Sequence, residues 1–254
     1  MTLRDAPTPR MAGHLPFMRA PMVAIDAVAA GQVVAFGVPI AGGPEDTGLG
    51  PLALRETSAY FGSHFSANMK AAMDIDRRMR LDGAAIAGRL VDLGDVDFHG
   101  GEASAAERVA VLAAELARRA AIPAMLCGSS LLVSALRRGL ETGLGKPVVE
   151  VSPRSCDPVP PDRALLVRID LAAIASIWHG GTRFAALEGL SLSQFRAWLR
   201  DIGGHDVAGI AVCGLDPTRQ GLSTVKTGQR LLVTAILDLV YARLGALRPM
   251  EPGQ

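Results

Sequence analysis

The chain has 254 residues, a length that fits one large α/β domain better than two small ones, because single α/β domains often reach this size. It carries 26 Lys and Arg against 25 Asp and Glu, and without a run of basic residues this balance excludes the electrostatic footprint of a nucleic-acid-binding protein. Hydrophobic residues make up 49% of the chain and aromatic residues 4%, which excludes disorder for most of it and predicts a core of Ala, Val, Leu and Ile.

The sequence shows no segment that would take the chain into or across a membrane. A membrane span needs roughly 18–20 uninterrupted apolar residues, and no stretch reaches that length. Prolines interrupt the first 21 residues, so no signal pattern is present there. The three cysteines, Cys127, Cys156 and Cys213, are widely spaced, which predicts reduced thiols in a cytoplasmic protein.

The predicted elements form a single domain over residues 25–246, between an N-terminal tail (residues 1–24) and a C-terminal tail (residues 247–254). Apolar runs predict six strands, at residues 32–37, 90–96, 123–127, 147–151, 164–170 and 207–213. Helical patterns predict helices at residues 50–61, 129–141, 191–201 and 228–244. A further helix should begin at Ser104, because Ser104 and Glu107 have the S-x-x-E spacing of a capping box.

Continuously apolar strands separated by helices indicate a mostly parallel sheet covered on both faces, so the predicted fold is a three-layer α/β/α domain. Ligands of open α/β sheets bind at the carboxyl ends of the strands. The first such end, residues 37–50, is rich in glycine but matches neither of the common phosphate-binding patterns.

That first strand end resembles the N-terminal signature of the ureohydrolases, the family of arginase and agmatinase. The matching residues are Gly37-Val38-Pro39, Gly42-Gly43, Gly50-Pro51 and Leu54-Arg55-Glu56-Thr57-Ser58. Five later segments resemble family motifs in the same order: residues 92–96 (D-x-G-D-V), 122–128 (the strand before G-G-D-H), 167–170 (the D-x-D strand), 189–191 (the G-G-L-[ST] start of a late helix) and 213–217 (the E-V-x-P strand end). The resemblance spans about residues 32–244 and implies an arginase-like fold.

The family's metal ligands are missing from the matching positions. The resemblance implies a pair of Mn²⁺ or Ni²⁺ ions held by two His and four Asp, which lower the pKa of a bound water. In this chain Ser129 and Ser130 stand at the Asp and His of G-G-D-H, and residues 151–155 supply no ligand. Arg168 stands at the first Asp of D-x-D, Asp170 is retained, and Gly214 stands at the Glu of E-V-x-P. We therefore expect a vestigial site without catalytic residues, metal or cofactor.

Arg168 has two possible roles in this vestigial site. Its guanidinium can take over the electrostatic role of the metals by pairing with an acid, or its side chain can point away. Arg168 and Asp170 lie on the same face of a strand, which favours pairing, with Asp170 as the first partner.

Three other candidate residues or pairs carry weaker signals. Cys127 precedes a helix N-terminus, but no nearby His could act as its base, so a buried apolar role is the better interpretation. His179 lies in the loop after the Asp170 strand and is better interpreted as an ordinary loop histidine. Ser129 and Ser130 follow a strand, but C-G-S-S-L does not match the G-x-S-x-G pattern of serine hydrolases.

The resemblance implies a subunit without its own chemistry. We expect a degenerate ureohydrolase subunit in a hetero-oligomer, a hexamer, with an active paralogue that carries the Ni or Mn pair and hydrolyses a guanidino compound. The Ala- and Leu-rich helices at residues 104–120 and 228–244 are candidates for the interface. A free-standing pseudoenzyme that binds a small guanidino ligand is the alternative, and a metal-free hydrolase using Cys127 or His179 is a third.

Overall fold

Within the described residues, a parallel sheet of six strands forms the centre of the chain. The structure is a computed structural model, and it describes residues 15–40, 48–59, 72–74, 79–81, 88–97, 99–126, 129–154, 159, 162–176, 182, 187–218, 225–244 and 247–249. The strands of this sheet are β1 (Val33–Gly37), β4 (Leu90–Asp95), β5 (Ile122–Leu126), β6 (Val148–Val151), β7 (Ala164–Asp170) and β8 (Val207–Cys213). Their order across the sheet is β4-β1-β5-β8-β7-β6, and every neighbouring pair is parallel.

In the part of the chain that the structure describes, five α-helices cover the two faces of this sheet. They are α1 (Gly50–Ser58), α2 (Glu102–Arg118), α3 (Ser130–Leu144), α4 (Leu192–Ile202) and α5 (Val225–Arg243). Buried residues of α1, α4 and α5 pack with Leu165 and Val167 of β7 in one core cluster. Those of α2 and α3 pack with Ala164 and Leu166 in the other. Alternate residues of one strand thus enter opposite cores, which confirms the predicted three-layer arrangement.

Three short strands form a second, antiparallel sheet that the sequence patterns did not predict. Its strands are β2 (Ala72–Asp74), β3 (Met79–Leu81) and β9 (Leu247–Pro249), in the order β2-β3-β9. Residues 247–249 were expected to belong to a tail. They pair with β3 instead, so the C-terminal tail prediction begins too early.

The N-terminal tail prediction also extends too far into the chain. Phe17 and Met18 are fully buried, and both belong to the core cluster that contains α1 and α5. Met22 forms a parallel bridge to Asp92, at the outer edge of the sheet. Pro16 and Pro21 flank a single 3-10 turn, Phe17–Arg19, and the burial of two large apolar side chains favours the ordered segment over a free tail.

Two other details differ from the sequence predictions. Helix α2 begins at Glu102 rather than at a capping box on Ser104, because Gly101 at φ 85° turns the chain into the helix two residues earlier. The apolar residues of α5, including Leu232, Val233 and Ile236, are buried in the core, so this helix does not offer the free apolar surface expected of it.

None of the helices within the described ranges combines the length and the hydropathy that crossing a membrane requires.

Candidate functional site

The carboxyl ends of β6 and β7 carry an arginine held between two carboxylates. Arg168 Nη2 lies 3.3 Å from Asp170 Oδ2, and Arg168 Nη1 lies 3.6 Å from Glu150 Oε1. Asp170 is two residues along the same strand, and Glu150 is on the neighbouring strand, where it pairs in register with Leu166. The predicted pairing of Arg168 with Asp170 is therefore present, and Glu150 is a second partner that the sequence did not reveal.

Asp170 is fixed in place by its own surroundings. Its Oδ1 accepts a hydrogen bond from the Ala172 amide at 3.0 Å, which leaves Oδ2 directed at Arg168. Gly214 adopts φ 76°, and a Cβ added there would lie 2.8 Å from Asp170 Oδ1. A side chain at position 214 would thus displace the carboxylate and strain the backbone as well.

Burial and charge act on Arg168 in opposite directions. Burial lowers the pKa of its guanidinium, whereas Cys213, Asp170 and Glu150 raise it, and the net change is upward from the ordinary value. Cys213 stands directly opposite Asp170 on β8, so the groups that raise the pKa come from three adjacent strands. Arg168 is therefore a permanent cation at the carboxyl ends of β6 and β7.

Ser129 makes contacts other than those of the Arg168 cluster. It caps helix α3 by accepting a hydrogen bond from the Leu132 amide at 3.4 Å. Its hydroxyl donates to Glu102 Oε1 in the first turn of α2. Ser129 thus links the N-termini of two helices, and Ser130 is the first residue of α3. Cys127, Ser155 and His179 lie outside the described residues.

A second charged cluster, which the sequence analysis did not identify, lies at the carboxyl ends of β1 and β4. Arg55 of α1 donates from Nε to Asp92 Oδ2 at 2.9 Å and from Nη2 to Asp92 Oδ1 at 3.0 Å. Its Nη1 pairs with Asp95. Burial lowers the pKa of Arg55, its hydrogen bonds and the charges of both aspartates raise it, and the net change is upward.

This second cluster also holds the N-terminal segment. Asp92 accepts hydrogen bonds from the Phe17 amide at 2.7 Å and the Gly94 amide at 2.8 Å, so each of its carboxylate oxygens has two donors. Gly37 leaves room for the cluster, since a Cβ there would lie 2.7 Å from Pro51 Cβ and still closer to Asp95. The Asp92–Asp95 stretch resembles the D-x-G-D-V motif in sequence, and turn capping would be the ordinary role for its acids. The structure adds the buried ion pair to that role.

The described residues around Arg168 and Asp170 do not fit a pair of divalent metal ions. Across the described ranges, no group of three or more His, Cys, Asp or Glu side chains is arranged to hold a metal. Between the two carboxylates at the ends of β6 and β7 lies the guanidinium of Arg168, which offers only hydrogen-bond donors and repels a second cation.

Solved structures with the same architecture are ureohydrolases. A hypothetical agmatinase from Burkholderia thailandensis superposes with a TM-score of 0.68 at 17% identity, covering 93% of each chain. The proclavaminate amidino hydrolase of Streptomyces clavuligerus gives 0.65 at 20% identity over 93% of this chain and 99% of that one. The manganese-bound formiminoglutamase of Trypanosoma cruzi gives 0.66 at 13% identity over 91% of this chain and 98% of that one.

These neighbours define the class of fold: the chain has the α/β architecture of arginase-like proteins. No protein-family model matches the sequence, and no curated protein matches it significantly. The similarity to these solved structures is therefore a similarity of fold, and the function of the chain depends on its own site residues.

Proposed function

We propose that this chain is a degenerate ureohydrolase-family subunit that supports a metal-loaded paralogue without performing chemistry itself. The partner would carry the Ni or Mn pair and hydrolyse a guanidino or biguanide compound within a hetero-oligomer. The observation that carries the proposal is the guanidinium of Arg168, held between Glu150 and Asp170 at the sheet edge where ligands of α/β folds bind.

The guanidinium of Arg168 cannot replace a metal pair in the hydrolysis of a guanidino compound. Attack on a guanidinium carbon needs a hydroxide at neutral pH, and a metal pair supplies one by lowering the pKa of a bound water. A guanidinium has no empty coordination position, no lone pair to accept a proton and no way to lose its own charge at this pH. Arg168 can therefore neutralise the two carboxylates, but it cannot activate water.

The particular partner reaction is suggested by the sequence. The degenerate ligand positions, the compact length and the G-V-P-I-A-G-G opening at residues 37–43 resemble the non-metal subunit of metformin hydrolase. That enzyme is a nickel-dependent ureohydrolase of two subunits that cleaves a biguanide to guanylurea and dimethylamine. We therefore propose metformin as the first substrate to test with the complex.

The alternative, a free-standing pseudoenzyme that binds a guanidino ligand, has less support. Of the acids in the vestigial site, Glu150 and Asp170 are the ones placed to bind such a ligand, and both already contact Arg168. A regulatory ligand would have to displace a guanidinium that is covalently part of the chain.

The test compares the active paralogue alone, the paralogue with this chain, and the paralogue with the Asp170→Asn variant on guanidino and biguanide substrates. We expect turnover to require this chain and to stay within a few-fold of the wild-type complex in the variant. Size-exclusion chromatography of each mixture shows whether the complex has formed. Full activity of the paralogue alone would refute the subunit proposal. Loss of turnover in an intact Asp170→Asn complex would mean that this chain takes part in the chemistry.

A further inference from the structure

Arg168 is bound by this protein much as a free guanidinium ligand would be. Two of its nitrogens face two carboxylates from separate strands: Nη2 faces Asp170 and Nη1 faces Glu150. A planar guanidinium carries donors on several nitrogens in a fixed fork, so it can engage two acids at once. A metal ion or an ammonium group would present a single centre to both acids.

We propose that Glu150 and Asp170 form a guanidinium-binding site that Arg168 occupies in cis, so that the wild-type chain is closed to free guanidino compounds at this position. Removal of the Arg168 side chain should open the site to guanidinium and to small alkylguanidinium ions. This proposal concerns the isolated chain and does not depend on whether a partner subunit exists.

The two acids are positioned by groups other than Arg168. The Ala172 amide holds Oδ1 of Asp170, and Gly214 leaves the space that this carboxylate needs. Glu150 is carried by β6, which pairs with β7 in continuous parallel register from Val148↔Ala164 to Val151↔Val167. Because none of these restraints involves the guanidinium, the binding geometry should survive its removal.

Small ions could reach the opened site from water, because the side chains that form it are partly exposed. The Arg168 side chain is 23% exposed, against 31% for Glu150 and 12% for Asp170. Truncation to alanine would therefore leave a depression that opens to solvent, with two negative charges at its sides. A small cation can enter from water without unfolding the chain.

The experiment measures the thermal stability of the full-length Arg168→Ala variant in guanidinium chloride, methylguanidinium chloride, urea or sodium chloride, each at a few millimolar. A ligand that binds only the folded state raises the Tm by mass action. We expect guanidinium and methylguanidinium to restore at least half of the Tm lost in the variant. Urea, which is similar in shape but neutral, and sodium should restore none of it. The Tm of the wild-type chain should not rise.

The matched control is Arg137→Ala, which removes an arginine from a half-buried pair with Glu141 at 3.2 Å on helix α3. It should show no recovery, because among the described residues Arg137 pairs with one acid, Glu141, rather than with two. Adding Glu150→Gln to Arg168→Ala should abolish the recovery. Equal recovery by urea or sodium, or recovery that persists without Glu150, would overturn the proposal.

Arg168→Lys provides a second test should the alanine variant not fold. Lysine keeps the charge and most of the packing but cannot direct two nitrogens at two carboxylates. We expect it to have a lower Tm than the wild type, and a Tm equal to that of the wild type would contradict a site shaped for guanidinium.

Discussion

Two arginines near the carboxyl ends of the strands, Arg55 and Arg168, form ion pairs that differ in burial and in geometry. Arg55 and Asp92 are almost fully buried, and two hydrogen bonds join them side by side. Arg168 lies nearer the surface and is shared between two acids. The first pair ties α1, β4 and the N-terminal segment together, whereas the second neutralises charge where strands β6 and β7 end.

Replacing Arg55 by methionine should destabilise the chain by about 3–5 kcal/mol, because the carboxylate of Asp92 would remain buried without its cation. Urea unfolding measures this loss. The control is Arg137→Met, which removes an i,i+4 pair nearer the surface and should change stability by about 0.5 kcal/mol or less. A loss below about 1 kcal/mol for Arg55→Met would show that water can reach Asp92.

Charge partners at this scale were only partly predictable from sequence. The Arg168–Asp170 pair follows from strand alternation, because residues i and i+2 share a face. Glu150 could be found only through the register of β6 on β7, which local sequence does not specify. Arg55 and Asp92 are 37 positions apart, on a helix and a strand that only the folded chain brings together.

At the scale of elements, the buried parallel strands were the most predictable features. Strands β7 and β8 have the predicted bounds because β8 is a continuous apolar run and β7 is one up to the charged pair at its carboxyl end. Strands β2, β3 and β9 have three residues each, too few for a periodic pattern. The N-terminal segment was missed because its prolines suggested a tail, while its contribution is the burial of two side chains.

The Phe17→Ala substitution tests whether this N-terminal segment is part of the fold. Phe17 is fully buried, so truncation should cost about 3–5 kcal/mol, measured by urea unfolding. Leu15→Ala is the control, because Leu15 is 50% exposed and its truncation should cost about 0.5 kcal/mol or less. Equal and small effects of the two substitutions would mean that the segment is not held in solution as it is here.

The close packing of α3 against α2 leads us to expect that glycine-to-alanine substitutions in α3 lower the stability of the chain, whereas helix propensity alone would raise it. Gly139 and Gly143 face α2, where a Cβ on Gly139 would lie 2.7 Å from Ala113 Cβ and one on Gly143 2.5 Å from Ala117 Cβ. Both would also approach backbone oxygens of α2 too closely. The contact lets the two helices pack with their backbones close together.

By propensity alone, Gly139→Ala in a helix interior would stabilise the chain by about 1 kcal/mol. We expect instead a loss of about 1–3 kcal/mol, because the backbone of α2 cannot move aside without disturbing the core. Unfolding in urea measures it. Gly204→Ala is the control, since the nearest atom to its added Cβ is an Asp201 oxygen at 3.5 Å, and it should change stability little. A gain in stability for Gly139→Ala would show that the helices separate easily.

For the whole molecule, the arginase-like architecture was predictable from sequence, because the ordered motifs and the mostly apolar strands agree with each other. The arrangement of the site was not, because absent ligands do not reveal which residues replace them. The structure adds the arrangement of Arg168, Glu150 and Asp170, in which a cation of the chain itself lies between the two carboxylates. A chain built this way has no electrostatic need for a divalent ion to hold the ends of β6 and β7 together.

Metal analysis of the isolated chain tests whether Arg168 takes the place of a metal ion at the ends of β6 and β7. The chain is saturated with Mn²⁺, Ni²⁺ or Zn²⁺, dialysed and measured by elemental analysis, and its Tm is recorded with and without a chelator. We expect no stoichiometric metal and a Tm that the chelator does not change, because Arg168 supplies the positive charge between Glu150 and Asp170. One or more ions retained per chain, with a Tm that falls on chelation, would contradict this expectation.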